Sequence, residues 1–431
     1  MKITKLLSIV SLCLAASMAQ AGVAIQHWVA PSGARVFFVE NHDLPLLDVQ
    51  VDFAAGTAHD PLGKAGTASL TQAVIDLGAD GMDETAISNR LADLGALLSG
   101  GVDMDRASVS LRTLSAKDKR EPALDILRAV LTRPQFPADV FEREKARTVA
   151  ALKDALTRPE AIASKNFWAA LYPGHAYGRY AEPEMVGELR RDDLVAFYRN
   201  HFVATRATVS IVGDVTRVQA EALAQQLTAD LPNDGIASTP EAPLLPRAGE
   251  KRIAHPSAQA HLLLGLPALK RGDPDFYALL VGNYSLGGGG FVSRLMKEVR
   301  DKRGLAYSVH SYFIPLAQPG PFQIGLQTKK EQAVEALKLT RQVLANFLSE
   351  GPSDAELLAA KQNIVGSFPL RLDSNRKLLD NVAVIGFYGL PLDYLDRYPD
   401  NVERVTVADI KAAFARHVRL ENLVTVVVGG E

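Results

Sequence analysis

Two stretches of this chain, 216 positions apart, carry the same pattern. Asp193 to Asp214, DLVAFYRNHFVATRATVSIVGD, and Asp409 to Gly430, DIKAAFARHVRLENLVTVVVGG, each read as an amphipathic helix, a short polar joint and a buried strand ending in Gly. Asp193 matches Asp409, His201 matches His417 and Gly213 matches Gly429, all at one spacing. Upstream, FPADVFEREKART from Phe136 and GPSDAELLAAKQN from Gly351 fall within one residue of that spacing. Generic helix–strand similarity does not hold a constant offset over separate segments, so the chain reads as two homologous halves. Between them, Pro232 to Glu250 contains Pro232, Pro240, Pro243 and Pro246. Proline removes amide donors and fixes φ, which makes this an extended linker. The expected division is 22–231, a linker at 232–250, and 251–431.

Length agrees, since 431 residues exceed one ordinary core. A net charge of −2 offers no basic footprint for nucleic acid. Residues 1–21 read as a secretory signal: Lys2 and Lys5, the apolar run Leu6 to Ala16, then Ala19-Gln20-Ala21, with small residues where signal peptidase needs them. Cleavage before Gly22 removes both lysines and leaves a charge of −4. The single cysteine, Cys13, lies inside this segment after Leu12 rather than after a small residue, which argues against a lipid anchor. The mature chain then has no thiol for a disulfide or a metal. Nothing downstream approaches the ~20 apolar residues of a membrane span. With a Gram-negative source, the expected location is the periplasm.

Within the first half, Gly22 to Glu40 reads as strands around the turn Pro31-Ser32-Gly33, and Leu47 to Ala54 alternates as another. Gly56 to Gly66 is a loop before a helix at Thr67 to Leu77. A second helix runs from Glu84 to Leu94, and Ala107, Val109 and Leu111 mark a strand. Longer helices are predicted at 118–131, 137–157 and 159–171. Strands interspersed with helix pairs suggest an α+β class, with helices packed on a mostly antiparallel sheet in each half.

The most informative stretch is Leu286 to Phe313, LGGGGFVSRLMKEVRDKRGLAYSVHSYF. Gly287, Gly288, Gly289 and Gly290 end one element and open another. Val292, Leu295, Met296 and Val299 recur at helical spacing, and Gly304 is a natural helix stop. From Leu305 the pattern alternates as a strand, with Leu305, Tyr307, Val309 and Phe313 on one face and Ser308, His310 and Tyr312 on the other. Arg300 thus stands late on a helix and Tyr307 early on a strand, seven positions on. Nucleotide binding is excluded here: no Gly-Lys-Ser/Thr follows the glycines, and Val292 stands where a G-x-G-x-x-G motif needs its last Gly. No G-x-S-x-G elbow occurs either.

With GGGGF-x-SRL and EVRDKRGLAYS around them, Arg300 and Tyr307 resemble the second half of the pitrilysin/insulinase-type zinc metallopeptidases, the inverzincins. The resemblance implies two lobes of the α+β kind, joined by the linker and facing each other as a clamshell. It implies that Arg300 and Tyr307 hold the substrate and stabilise charge at the scissile bond, with the Gly287–Gly290 loop touching extended peptide. Active members carry His-x-x-Glu-His on a helix just after a loop like Gly56 to Gly66. Two His at i and i+4 share a helix face and hold zinc, and the Glu activates its water. Ser69, Gln72 and Ala73 occupy those positions here, and Val149, Ala150 and Ala151 surround the place of a further Glu ligand. No two of the nine histidines are at i and i+4. His59-Asp60 and Asp103-Met104-Asp105 are expected at solvated turns or strand starts. The charge runs Lys117 to Glu121 and Glu142 to Lys145 are expected on solvated helix faces.

The whole zinc set is replaced while the Arg/Tyr pair is kept. The expectation is therefore a non-catalytic subunit of a heterodimeric zinc peptidase. It would bind no metal or other cofactor itself, and would act in trans beside a homologous catalytic subunit that carries the zinc and His-x-x-Glu-His. The substrate expected is an unfolded peptide. Two alternatives stay open: a peptide-binding or scaffold protein without a proteolytic role, and an autonomous hydrolase with a different site.

Overall fold

The computed structural model describes residues 22–233, 235 and 240–429. The expected signal segment 1–21 lies outside the described residues, as do 234 and 236–239 of the expected linker. Alternating apolar side chains raise the first sheet. Strands β1 (Gln26–Val29), β2 (Arg35–Glu40) and β3 (Leu46–Phe53) precede a small hairpin, β4 (Gly78–Ala79) and β5 (Met82–Asp83). Then come β6 (Leu97–Val102), β7 (Ala107–Leu114) and β8 (Thr208–Gly213). All but the hairpin form one six-stranded sheet in the order β1-β2-β8-β3-β7-β6. Its β2–β8 pair is parallel and the others antiparallel.

The second sheet is built the same way from β9 (Gly249–Ile253), β10 (Gln259–Leu269), β11 (Ser308–Phe313), β12 (Gly320–Lys329) and β13 (Val424–Val428). Its order is β11-β12-β10-β13-β9, and only the β13–β9 pair is parallel. Between the sheets, residues 240–248 carry neither helix nor strand. The α+β expectation of mostly antiparallel sheets packed with helices describes this architecture.

Side chains alternate across a strand, so each sheet has two faces to cover. One face of the first sheet receives the helices Lys117–Thr132 and Arg217–Thr228. One face of the second receives Ala333–Glu350, with Phe276–Asn283 and Val407–His417 alongside. The other two faces are covered by exchange. The helix Pro159–Leu171 lies on β10 and β13 of the second sheet, and Asn375–Tyr388 lies on β2, β3 and β8 of the first. Glycine permits the close approach at both crossings. A Cβ on Gly265 would stand 2.8 Å from Phe167 Cζ, and one on Gly386 would stand 2.6 Å from Phe37 Cδ2. Phe167 is fully buried with Val426 and Val428, and Phe37 packs in one core with Leu379 and Val382. Burying such a side chain contributes roughly 1.5–3 kcal/mol.

Part of the face under Asn375–Tyr388 is polar. Leu47, Val49, Val51 and Phe53 turn one way, so Asp48, Gln50 and Asp52 turn the other and are buried as well. Arg112 pairs with Asp48 at 2.7 Å and Arg106 with Asp52 at 3.2 Å. Arg376 of the crossing helix reaches Ser110 Oγ at 3.4 Å. Burial pushes the Asp52 carboxyl up to about 7, against the opposing pull of Arg106.

Asp105, in the turn between β6 and β7, joins the halves. It is 3% exposed. Tyr177 Oη donates to its Oδ1 at 2.5 Å, while Tyr388 Oη and the Ala317 N–H donate to Oδ2 at 2.8 Å each. One donor belongs to the first half and two to the second. The solvated turn expected at Asp103-Met104-Asp105 therefore needs correction. Asp103 stays near solvent and accepts from the N–H groups of Asp105 and Arg106 at 2.8 Å. Asp105 is covered because distant segments close over it. His59-Asp60 needs the same correction: Asp60 is buried and accepts from the Gly66 and Ala68 N–H groups at 2.7 Å, capping the helix Thr67–Val74. Glu144, within the second charge run, is also buried rather than solvated.

Asp105→Ala leaves two tyrosine hydroxyls and a backbone N–H without their buried acceptor. The expected loss is about 3 kcal/mol of unfolding free energy in urea titrations, against well under about 1 kcal/mol for Asp103→Ala. Equal effects of the two substitutions would show that Asp105 does not hold the halves together.

Candidate functional site

The helix Phe276–Asn283 runs on into a wide turn of π form, Tyr284–Gly288. Asn283 ties this segment to β11: its Nδ2 donates to Ser311 O at 2.9 Å, and Ser311 Oγ donates to its Oδ1 at 2.6 Å. The contact requires glycine at 287, where a Cβ would fall 2.6 Å from Ser311 N. Gly290 then turns with φ +59° into a short 3₁₀ segment, Gly290–Val292.

The single amphipathic helix predicted from Phe291 does not form. Ser293 is extended, and winding resumes at Arg294 and widens to a π-helix over Met296–Asp301. The apolar spacing is used only in part: Leu295, Met296 and Val299 are buried, whereas Val292, in the 3₁₀ segment before the break, is exposed. Gly304 ends the segment at φ +61°, as expected. Tyr307 also departs from expectation, because β11 begins at Ser308, where pairing with Gln327 starts. Alternation applies only inside a ladder. Leu305 and Val309 point into the core, whereas Tyr307, on the turn before the strand, is 84% exposed.

That exposure places Tyr307 beside Arg300. The Arg300 guanidinium carbon lies 4.8 Å from the centre of the Phe291 ring and 5.7 Å from that of Tyr307, so two aromatic side chains flank one cation. Asp301 supplies a weak ion pair at 3.3 Å. These three side chains and Gly287, Gly288 and Gly290 line an open cavity of about 560 Å³. His310 and Tyr312, stacked on each other with centroids 5.5 Å apart, complete its wall. Burial lowers the His310 pKa and raises that of Tyr312. The sequence marks Phe291 only as part of the GGGGF-x-SRL pattern and gives Asn283 no signal. Only the position of Phe291 directly after four glycines could have singled it out.

The other motif positions sit on the helix Thr67–Val74, which packs against β6 and the helices Ala138–Ala155 and Arg191–His201. Ser69, Gln72 and Ala73 present a hydroxyl, an amide and a methyl group. Gln72 occupies the space toward β6: a Cβ on Gly100 would lie 2.3 Å from its Nε2, and its Oε1 is buried without a partner. Glu144 on the neighbouring helix is taken by Arg143 at 2.9 Å and Arg147 at 3.7 Å. Such a donor set does not fit zinc.

Two histidines do meet, although not as a motif. The His59 and His201 rings lie 5.3 Å apart, each with a buried Nδ1 that lacks a partner. Burial lowers both pKa values, that of His201 to about 4 with further contributions from His59 and Arg206. Among the described residues, three possible ligand atoms converge only at Asp273, Asp275 and His417. There Arg416 donates to both Asp275 oxygens at 2.8 and 2.6 Å, so a guanidinium already stands where a cation would.

With this geometry in place, the chain can be set beside proteins of similar sequence and fold. The family model for the peptidase M16 inactive domain matches residues 188–364. A crystal structure described as a peptidase M16 inactive domain from Pseudomonas fluorescens is 38% identical, covers 95% of this chain and 98% of its own, and superposes with a TM-score of 0.92. The chain belongs to the M16 peptidase family. A protein named non-peptidase homolog YmxG from Helicobacter pylori is 24% identical over 402 residues, 92% of each chain. The mitochondrial-processing peptidase subunit beta of Blastocladiella emersonii is 22% identical over 410 residues, 93% of this chain and 87% of its own. The matches to an inactive domain and a non-peptidase homolog support a non-catalytic role. Among the described residues no helix is long and apolar enough to cross a membrane.

The histidine pair gives a pH dependence of definite sign. A folded pKa below the unfolded value of about 6.5 means that the unfolded chain takes up the proton first. The stabilisation is present above pH 6.5 or so and is lost as pH falls toward about 4. Urea titrations over that range should give a shallower fall for His201→Phe than for the native chain. An unchanged slope would mean that His201 is not held neutral by burial.

Proposed function

We propose that this chain is the non-catalytic subunit of a heterodimeric, periplasmic zinc peptidase. It would lend Arg300 and Tyr307 to a homologous partner that carries His-x-x-Glu-His and the metal. The observation that carries this reading is the exposure of the pair. A phenol 84% open to solvent beside a guanidinium held between two rings has no packing role to explain it. In the assembled enzyme, Tyr307 Oη donates a hydrogen bond to the substrate carbonyl oxygen as negative charge develops there. Such a preorganised donor is worth about 3–4 kcal/mol in the transition state. Arg300 offers its planar fork of donors to the backbone of an unfolded peptide. The peptide lies along the Gly287–Gly290 loop, adding as a strand to a sheet edge. Metal chemistry is left to the partner. The periplasmic location rests on the signal-like segment 1–21.

The name of the Helicobacter relative, a non-peptidase homolog, favours a second reading: a peptide-binding or scaffold protein with no part in proteolysis.

Co-expression with a secreted homologue bearing His-x-x-Glu-His, assayed on a quenched peptide, separates the two. Tyr307→Phe should lower kcat of the pair by roughly a hundred- to a thousandfold. Its thermal midpoint should not move, because the hydroxyl makes no buried contact. Unchanged turnover in that variant, or chelator-sensitive peptidase activity of this chain alone, would sink the in-trans role.

A further inference from the structure

A second cavity, of about 190 Å³, opens between the turn after β10 and the segment following the helix Asn375–Tyr388. It shares no residue with the cavity at Arg300. One wall is aromatic. Phe276 meets Tyr277 edge-on at 5.1 Å, and Tyr277 lies 6.3 Å from Tyr394. Tyr398 and Phe368, stacked at 4.5 Å, back this wall from the core side. Leu390, Pro274 and Pro391 add apolar lining, and four charged residues complete it: Arg271, Asp273, Asp393 and Arg397.

Three of those four charges have partners. Asp393 pairs with Arg397 at 3.4 Å, and Asp273 stands 3.8 Å from His417 Nε2. Arg271 differs. Its guanidinium carbon lies 5.3 Å over the Tyr388 ring, and its Nε is buried without an acceptor. No acidic side chain pairs with it among the described residues. A buried donor left unmade costs about 1–3 kcal/mol, and more when it is charged. Its backbone is meanwhile held in place, since Arg271 N–H donates to Leu316 O at 2.8 Å. The planar fork of a guanidinium matches a carboxylate with two parallel hydrogen bonds.

We propose that this cavity binds an α-carboxylate carried next to an apolar side chain. The ligand is a free amino acid such as phenylalanine or the C-terminal residue of a short peptide. Arg271 takes the carboxylate, and Phe276, Tyr277 and Tyr394 enclose the side chain. Asp273 and Asp393 stand on the same lining and would receive the ammonium group of a free amino acid. Nothing in this assignment depends on the role proposed for Arg300 and Tyr307.

The test is calorimetric titration of the purified mature chain with L-phenylalanine, N-acetyl-L-phenylalanine and N-acetyl-L-phenylalaninamide. At least one of the two acids should bind saturably, and the amide, lacking the carboxylate, about tenfold more weakly or not at all. Tighter binding of the free amino acid assigns the site to amino acids, and tighter binding of the acetylated form assigns it to peptide C-termini. Arg271→Gln should weaken the acid about tenfold while leaving the amide unchanged. Should that variant fold poorly, the Arg271 Nε–H resonance of the native chain should shift on adding the acid and stay put with the amide. Equal binding of acid and amide, or no saturable binding of either acid at millimolar concentration, would overturn the assignment.

Discussion

Asp105 accepts hydrogen bonds from both halves of the chain, and it can do so because two helices have changed places. With Pro159–Leu171 on the second sheet and Asn375–Tyr388 on the first, neither sheet completes its core from its own half. Phe167 needs the groove at Gly265, and Phe37 needs the gap at Gly386. Tyr177 follows the first exchanged helix and Tyr388 ends the second, so both hydroxyls reach the one buried carboxylate. A buried acceptor with three donors suits such a joint. It is strong when complete and costly when any partner is missing, so it admits one arrangement of the halves.

That rigid frame sets what each sheet can offer. On the second sheet, a glycine run, an interrupted helix and a turn deliver Arg300 and Tyr307 to solvent with Phe291 beside them. On the first, the helix Thr67–Val74 presents Ser69, Gln72 and Ala73, and the Gln72 amide fills the space against Gly100. The two lobes therefore differ in chemistry while sharing one kind of architecture. The family model for the M16 inactive domain matches residues 188–364, the stretch that contains Arg300 and Tyr307. A fold of this kind does not by itself assign an activity; the exposed pair is what points to one.

Much of this was legible beforehand, and the failures have a common cause. The alternation of Leu47 to Phe53 and the helical spacing at 84–94 and 159–171 reappear as a strand and two helices. Periodicity reports which side of an element is apolar, and it did so here. It does not report what covers the other side. Alternation leaves Asp48, Gln50 and Asp52 on the polar face of a strand, yet a helix from more than 300 residues away in sequence lies over them. The single helix expected from Phe291 failed because hydrophobic spacing does not distinguish 3₁₀, α and π winding. Tyr307 was put on the wrong face because alternation was extended past the end of the ladder.

The sequence by itself carried the repeated pattern at a constant offset, the α+β class, the family resemblance and the identities of Ser69, Gln72 and Ala73. Each of these is a matter of residue identity at fixed spacing, which needs no coordinates. Tertiary structure alone decided the exchange of helices, the burial of Asp105, His59 and His201, the cation held between Phe291 and Tyr307, and the unpaired Arg271 Nε. These depend on approaches between segments far apart in the chain. Burial turns a turn aspartate into a joint, or a surface arginine into an orphan, without changing a letter of the sequence around it.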